Sequence, residues 1–381
     1  MEESDLSLFD GSQKSPGDHV RLLLAQKSWT QDELAAVTGR SRQQINDIIS
    51  GRRGITAEMA VALGGAFSNS PGYWLKADAA YRLSQVDRDA SEVEKRARLY
   101  AVAPVKEMQR RGWIKDDRHL EEIEVELKVF FGVDTFDEDP RIGAATRKAD
   151  SGDPLTPSQR AWCFRVKQLG AAQLVAQYRA DRLPECERAL RKIAAYPQET
   201  YKVPEVLAAF GIRFVAVEPL PTSKVDGVAL WLDENSPVIG MSLRYDRIDS
   251  FWFTLCHELS HIRHRDEAPL DGDLTDQMAS VLFVKSDIEH RANEEASSSL
   301  IPKEEMDSFV LRVGPLYSKD RIIRFANRLK MHPGIIVGQL QRRKEIGYSA
   351  NREMLAKIRH FVIPAAVTDG WGCSIDPRSL T

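Results

Sequence analysis

Apolar residues first recur three to four apart in DHVRLLLAQKSW, which predicts a helix. In the following TQDELAAVTGRSRQQINDIISGRRGITAEMAVALGGAF the same spacing continues in short, punctuated blocks. Thr30 opens T-x-x-E with Glu33, a capping box that starts a helix, and Leu34, Ala35 and Val37 give it a buried side. Gly39 supplies a turn, Ser41 opens a second box with Gln44, and Ile45, Ile48 and Ile49 form the next stripe. Gly51 stops that helix, and Thr56 starts another over Ala57 to Phe67. Residues 89–200 continue helical, with apolar spacing in VEKRARLYAVAPVKEMQRRGWI, HLEEIEVELKVFFGV and QRAWCFRVKQLGAAQLVAQYRA. Trp113, Phe130 and Trp162 read as core, and DEDPRIGAATRKADSGDPLTP reads as a linker. From Gly211 the texture changes: GIRFVAVEPL, GVALWL and PVIGMSL are short β-branched or aromatic runs between turn residues, expected as strands of a small antiparallel sheet. A helix is expected to begin near Asp249. The fold class is therefore α+β, mostly helical: an N-terminal all-α domain, a helical middle region, and a small antiparallel sheet with one chemically distinctive helix.

Composition changes this picture little. At 381 residues two or three domains are expected. A hydrophobic fraction of 43%, a charged fraction of 29% and a formal net charge of −3 describe a globular chain with no overall pull toward nucleic acid, so any such signal must be local. The polar, acidic start lacks the order of a secretory signal, and no apolar run approaches the ~20 residues of a membrane span. The four cysteines (Cys163, Cys186, Cys256 and Cys373) are scattered without a CxxC, against a disulfide framework or a thiolate zinc site. A cytoplasmic protein with no membrane partner is expected.

Two capped helices joined by a short turn within a five-helix unit are helix-turn-helix grammar. Arg42, Gln43, Gln44 and Asn46 lie near the start of the second helix and are side-chain types that pair with base edges. Arg40, Arg52 and Arg53 flank it and suit phosphates. The module's charge, eight Lys and Arg against six Asp and Glu over residues 18–85, is weakly basic. This stretch resembles the Cro/repressor (XRE) type of helix-turn-helix, and SNSPGYWLKADAAYRL resembles the HigA-type antitoxin branch. That resemblance implies operator DNA as a partner and a homodimer.

The helix after the strands carries HELSH. His257 and His261, four apart, leave one helix face about a turn apart, so both rings can meet one ion at about 2.0–2.1 Å. Glu258 sits beside them, placed to take a proton from water, and Leu255, Leu259 and Ile262 form the stripe that packs on the sheet. His264 continues the face but, at about 1.5 Å rise per residue, stands too far along the axis to share the ion with His257, and reads as a bystander. A third ligand must come from elsewhere. In DIEHRANEEASSSLIP, Glu289 offers a carboxylate and Asn293, on the same face, could orient a ligand histidine; His290, Glu294 and Glu295 compete.

HELSH, followed 28 residues later by E-x-x-A-N and then L-I-P, resembles the ImmA/IrrE family of metallopeptidases. KVDGVALWL, SFWFTLCHELSHI and MHPGIIVGQLQ resemble that family's surroundings, over residues 201–345. Sheet followed by a metal-binding helix is also the usual order of zincin-type peptidases. The resemblance implies zinc, with manganese an alternative, held by His257, His261 and Glu289, and Glu258 as general base. Arg291 departs from the family pattern at a position where an acidic residue is common. Members of that family cleave XRE-type repressors in response to stress signals. The fusion thus implies a transcriptional regulator whose peptidase cuts a repressor-type protein, in trans or its own chain. An antitoxin-like or ligand-responsive regulator with a non-proteolytic sensor domain is the alternative, and a peptidase with a vestigial helix bundle is a third reading.

The expected organisation is a leader over 1–17, a DNA-binding domain over 18–85, a helical linker or platform over 86–200, a metallopeptidase domain over 201–345 and a tail over 346–381. Within the tail, Cys373 is a candidate plug for an open zinc position, with an inert cysteine the plainer reading. His332, beside Pro-Gly, reads as structural rather than as an oxyanion partner.

Overall fold

The computed structural model describes residues 15–85, 90–117, 119–136, 155–266, 271–272 and 287–370. It divides into two compact units, Met1–Val93 and Glu94–Thr381. The leader, most of the linker candidate and Cys373 lie outside the described residues.

The first unit is all-helical: α1 (Pro16–Lys27), α2 (Gln31–Thr38), α3 (Arg42–Ile49), α4 (Ala57–Phe67) and α5 (Pro71–Gln85). Its core gathers Val20, Leu34, Ile45, Ile48, Leu63 and Trp74 from all five helices. Leu34 and Ala35 are buried as expected, but Val37 is 54% exposed. A helix of only two turns buries a narrow stripe, and three residues from Leu34 the Val37 side chain has already rotated to its edge.

The second unit begins within α6 (Ala90–Val102) and continues through α7 (Val105–Arg110), α8 (Leu120–Phe131), α9 (Pro157–Ala171), α10 (Leu183–Ile193) and α11 (Val203–Ala209). Strands β1 (Arg213–Ala216), β2 (Val225–Trp231) and β3 (Pro237–Met241) lead to α12 (Ile248–His264). Then come β4 (Asp271–Gly272), α13 (Asp287–Leu300), α14 (Lys303–Val313), α15 (Lys319–Leu329), α16 (Pro333–Arg342), α17 (Arg359–Val362) and β5 (Val367–Thr368). The sheet has the order β4-β2-β3-β1-β5. It is mixed rather than antiparallel: β2 runs against β3 and β4, but β1 runs parallel to both β3 and β5.

Alternation along the strands shows where the layers lie. Phe214, Ala216, Ala229, Ile239 and Met241 join the core under α10–α16, whereas Val215, Val217, Val228, Leu230 and Val238 join the one under α6–α9. Helices therefore cover both faces of the sheet, and its middle strands read as nearly unbroken apolar runs. The helices expected as a platform form one of these layers, with Trp113, Phe130 and Trp162 buried in it. Part of the expected tail belongs to the core as well. Ile358 and Val362 are fully buried, Asp246 Oδ1 accepts from the Ile358 and Arg359 amides at 2.9 and 2.8 Å, and β5 closes one sheet edge.

α12 is the central helix of this unit. Its residues from Ile248 to Leu255 and from His257 to Ile262 are buried, against β2 and β3 on one side and α13 and α16 on the others. Leu255, Leu259 and Ile262 form the sheet-side stripe, and Arg265 in the left-handed conformation (φ 53°) ends the helix. α13 presents Ala292, Ala296 and Leu300 to the core, four residues apart, so small side chains let it approach α12 closely.

Candidate functional site

In the first unit, capping fixes the turn between α2 and α3. Thr30 Oγ1 accepts from the Glu33 amide at 3.2 Å, and Ser41 Oγ accepts from the Gln44 amide at 3.2 Å while Gln44 Oε1 accepts from the Ser41 amide at 3.2 Å. Gly39, in the left-handed region (φ 64°), makes the turn between them. α1 lies against the end of α3, where Gly17 is in close contact: a Cβ there would stand 2.4 Å from the Ile49 carbonyl oxygen.

On the outward side of α3, Arg42, Gln43 and Asn46 are exposed, as are Arg52 and Arg53 beyond it. Arg42 lies 3.4 Å from Asp32 and Arg52 3.0 Å from Asp47. Arg40 is half-buried and lines a shallow pocket with Gln44, Arg53 and Glu58. Gln44 departs from the expected base-reading set, because its side chain is engaged in the capping box.

Residues 20–74 match the family described as Helix-turn-helix. The N-terminal unit is a helix-turn-helix domain of the XRE type. Over 61 residues, 16% of this chain, the sequence is 43% identical to virulence-associated protein A' of Dichelobacter nodosus, and the match spans 53% of that protein. No solved structure matches the chain. DNA binding by the N-terminal unit rests on the family match and on the exposed polar face of α3. Among the described residues no helix is long and apolar enough to cross a membrane.

In the second unit, the tertiary fold brings Glu289 of α13 to the two histidines of α12. His257 Nε2 stands 3.0 Å from His261 Nε2, and the Glu289 carboxylate lies 3.3 Å from the first and 3.7 Å from the second. One ligand atom from each residue lies within 4.8 Å of the others, so the donors could share one ion. Two imidazole nitrogens and a carboxylate form a donor set suited to zinc and to several other divalent ions. Both histidines are buried, with 0% of His257 exposed, whereas Glu289 is half-buried.

Of the competing ligands, His290 is exposed and Glu295 is engaged elsewhere. Glu295 accepts from Ser260 Oγ at 2.8 Å and pairs with His264 at 2.8 Å and Arg263 at 3.1 Å, tying α13 to the outer side of α12. His264 is thus held outside the donor set, as its spacing implies. His332 caps α16, its Nδ1 accepting from the Gly334 amide at 3.1 Å.

The group that orients His261 is Asp266, which sequence reasoning missed. Its Oδ2 lies 3.0 Å from His261 Nδ1 and also takes a hydrogen bond from Arg291. A carboxylate on the second ring nitrogen fixes the tautomer and leaves Nε2 as the donor to a metal. For His261 this job falls to Asp266 rather than to Asn293, which is half-buried one turn beyond Glu289. Arg291, the departure from the family pattern, pairs with that orienting carboxylate. The only sequence signal for Asp266 is an acidic residue five beyond His261, where the helix has just ended.

Glu258 is fully buried beside His257. Its carboxylate reaches the face of β2 at Gly227, where a Cβ would lie 2.3 Å from Oε1 and 2.7 Å from Thr254 Cγ2. Burial, and then the Glu258 charge, push the neighbouring Cys163 thiol well above its ordinary range, so that sulfur stays protonated. Gly227 is a second residue that sequence reasoning missed.

Proposed function

We propose that this chain is a DNA-binding transcriptional regulator carrying a metal-dependent endopeptidase, which cuts a repressor-type protein, in trans or its own chain, in response to a stress signal. The observation that carries the peptidase half is the convergence of His257, His261 and Glu289 with a buried Glu258 on the same helix. The regulator half rests on the helix-turn-helix domain.

A zinc ion held by His257, His261 and Glu289 would supply Lewis acidity toward a peptide carbonyl and lower the pKa of a water beside it. The chain's own residues supply the rest. Asp266 holds the His261 ring so that Nε2 faces the shared position. Glu258 takes the proton from the attacking water at a carboxylate oxygen and passes it to the departing amine nitrogen. Gly227 leaves the space in which that carboxylate sits. Burial of both histidines keeps bulk water from the rings.

Metal content per purified chain tests the ligand set: about one zinc in the wild type, lost in Glu289→Ala and in His261→Ala. Regulation in cells carrying Glu258→Gln then separates two readings. Lost regulation with intact operator binding supports proteolysis. Unchanged regulation would make the second unit a sensor that does not cut. Salt-dependent binding to operator fragments tests the first unit, with Arg53→Ala expected to reduce the salt slope by about one.

A further inference from the structure

Beyond the metal donors, the face of α12 that carries His257 continues one turn toward the helix start, to Phe253. The two rings lie 6.1 Å apart between centroids. α16 accompanies this part of α12. Gly338 meets Asp249, where a Cβ would lie 2.4 Å from the Asp249 Cβ, and one turn later the Arg342 guanidinium lies 3.1 Å from the Phe253 ring centroid. α16 ends at Arg342, so it stops before the turn of α12 that bears His257. The guanidinium thus stands at the end of the helix that walls this side of the histidines.

The charges around it do not balance. Asp226 is held by Arg244, Nε to Oδ1 at 3.0 Å, and Asp249 by Arg247, Nη2 to Oδ2 at 2.7 Å. Arg342 feels the same two carboxylates. Among these five side chains three cations face two anions. Burial lowers the Arg342 guanidinium to about 10, so it keeps its charge at neutral pH while poorly hydrated. A weakly hydrated guanidinium with a planar donor edge is suited to a carboxylate.

We propose that Arg342 makes the cleft beside His257 select peptides with an acidic side chain close to the bond to be cut. The inference rests on the peptidase reading of the metal centre, and names a substrate preference for it. The incoming carboxylate completes the charge balance of the arginine cluster and sets the peptide's position along α12 relative to Glu258. Arg342 is a specificity residue in this scheme, and it takes no part in proton transfer.

The test measures binding apart from cleavage. The full-length, zinc-loaded Glu258→Gln chain is offered three pools of random decapeptides, fixed centrally as Glu, Gln or Lys, and retained peptide is quantified. The Glu pool is expected to bind about tenfold better than the Gln pool, since a charge-assisted hydrogen bond of this kind is worth roughly that factor. Lys binds weakest. Arg342→Met abolishes the preference and Arg342→Lys restores part of it, with zinc content and melting temperature recorded for each. Equal retention of the three pools, or a preference that survives in a folded Arg342→Met chain, overturns the proposal. Should Arg342→Met fail to fold, the pool comparison on the Glu258→Gln chain decides alone. Cleavage by the wild-type chain is scored separately: no cleavage with a retained Glu preference would sink the peptidase reading and leave an acidic-peptide site.

Discussion

Gly227 and Glu258 occupy complementary space: the strand residue has no side chain where the helix carboxylate lies, and a Cβ would come within 2.3 Å of Glu258 Oε1. The glycine therefore decides where the carboxylate can sit. Gly227→Ala is expected to displace Glu258 or Thr254 and to cost about 1–3 kcal/mol by overpacking. The His257, His261 and Glu289 donors do not touch this position, so zinc content should stay near wild type while peptide cleavage falls. Urea unfolding, metal analysis and a cleavage assay on one preparation check the three parts.

Asp266 gives a prediction about affinity. Asp266→Asn keeps the shape but removes the charge that the His261 ring and Arg291 share. Zinc affinity is expected to fall by about 10–100-fold, the usual range for losing such a partner. Competition with a chromogenic chelator measures it. Unchanged affinity would show that the ring is fixed by packing alone.

In the first unit, Gly17→Ala should push α1 away from the end of α3, because the atoms in its path are the backbone of Ile48 and Ile49 and cannot rotate aside. A loss of about 1–3 kcal/mol is expected. Faster amide exchange in residues 16–27 and weaker operator binding would follow together, since the same contact seats the exposed face of α3.

The N-terminal unit should also weaken in mild acid. Burial pushes the His19 imidazole below its ordinary value, and its Nε2 lies 2.8 Å from the Tyr73 hydroxyl. The unfolded chain takes up a proton that the folded unit resists. This contribution is fully present above about pH 6.5 and is lost as pH falls through that value toward the depressed one. Hydrogen exchange in α1 and α5, corrected for its intrinsic pH dependence, should show the loss between pH 7.5 and 5.5, and His19→Gln should flatten it. A pH-independent opening in the wild type would count against this role for His19.

Much of the first unit was legible in the chain because its signals are local. Thr30 with Glu33 and Ser41 with Gln44 form their boxes within four residues, Gly39 takes the left-handed turn that such a junction needs, and the α4 boundaries fall at the expected residues. Gln44 shows the limit of such reading. One side chain fitted two local roles, and only the packed geometry shows that the cap holds it.

In the second unit, the sequence by itself determined HELSH and its helix, because two histidines four apart share a face wherever a helix forms. It also marked the strands, through β-branched runs between turn residues. Strand direction lay beyond it. A strand buried on both faces is apolar throughout, and the neighbour of β1 is β3, across the intervening β2. Only the tertiary structure decided that Glu289, among several acidic and histidine competitors, meets both rings, that Asp266 orients one of them, and that Gly227 clears the place of Glu258. These relationships join residues from different elements, and no periodicity within one element can encode how α12, α13 and β2 approach one another.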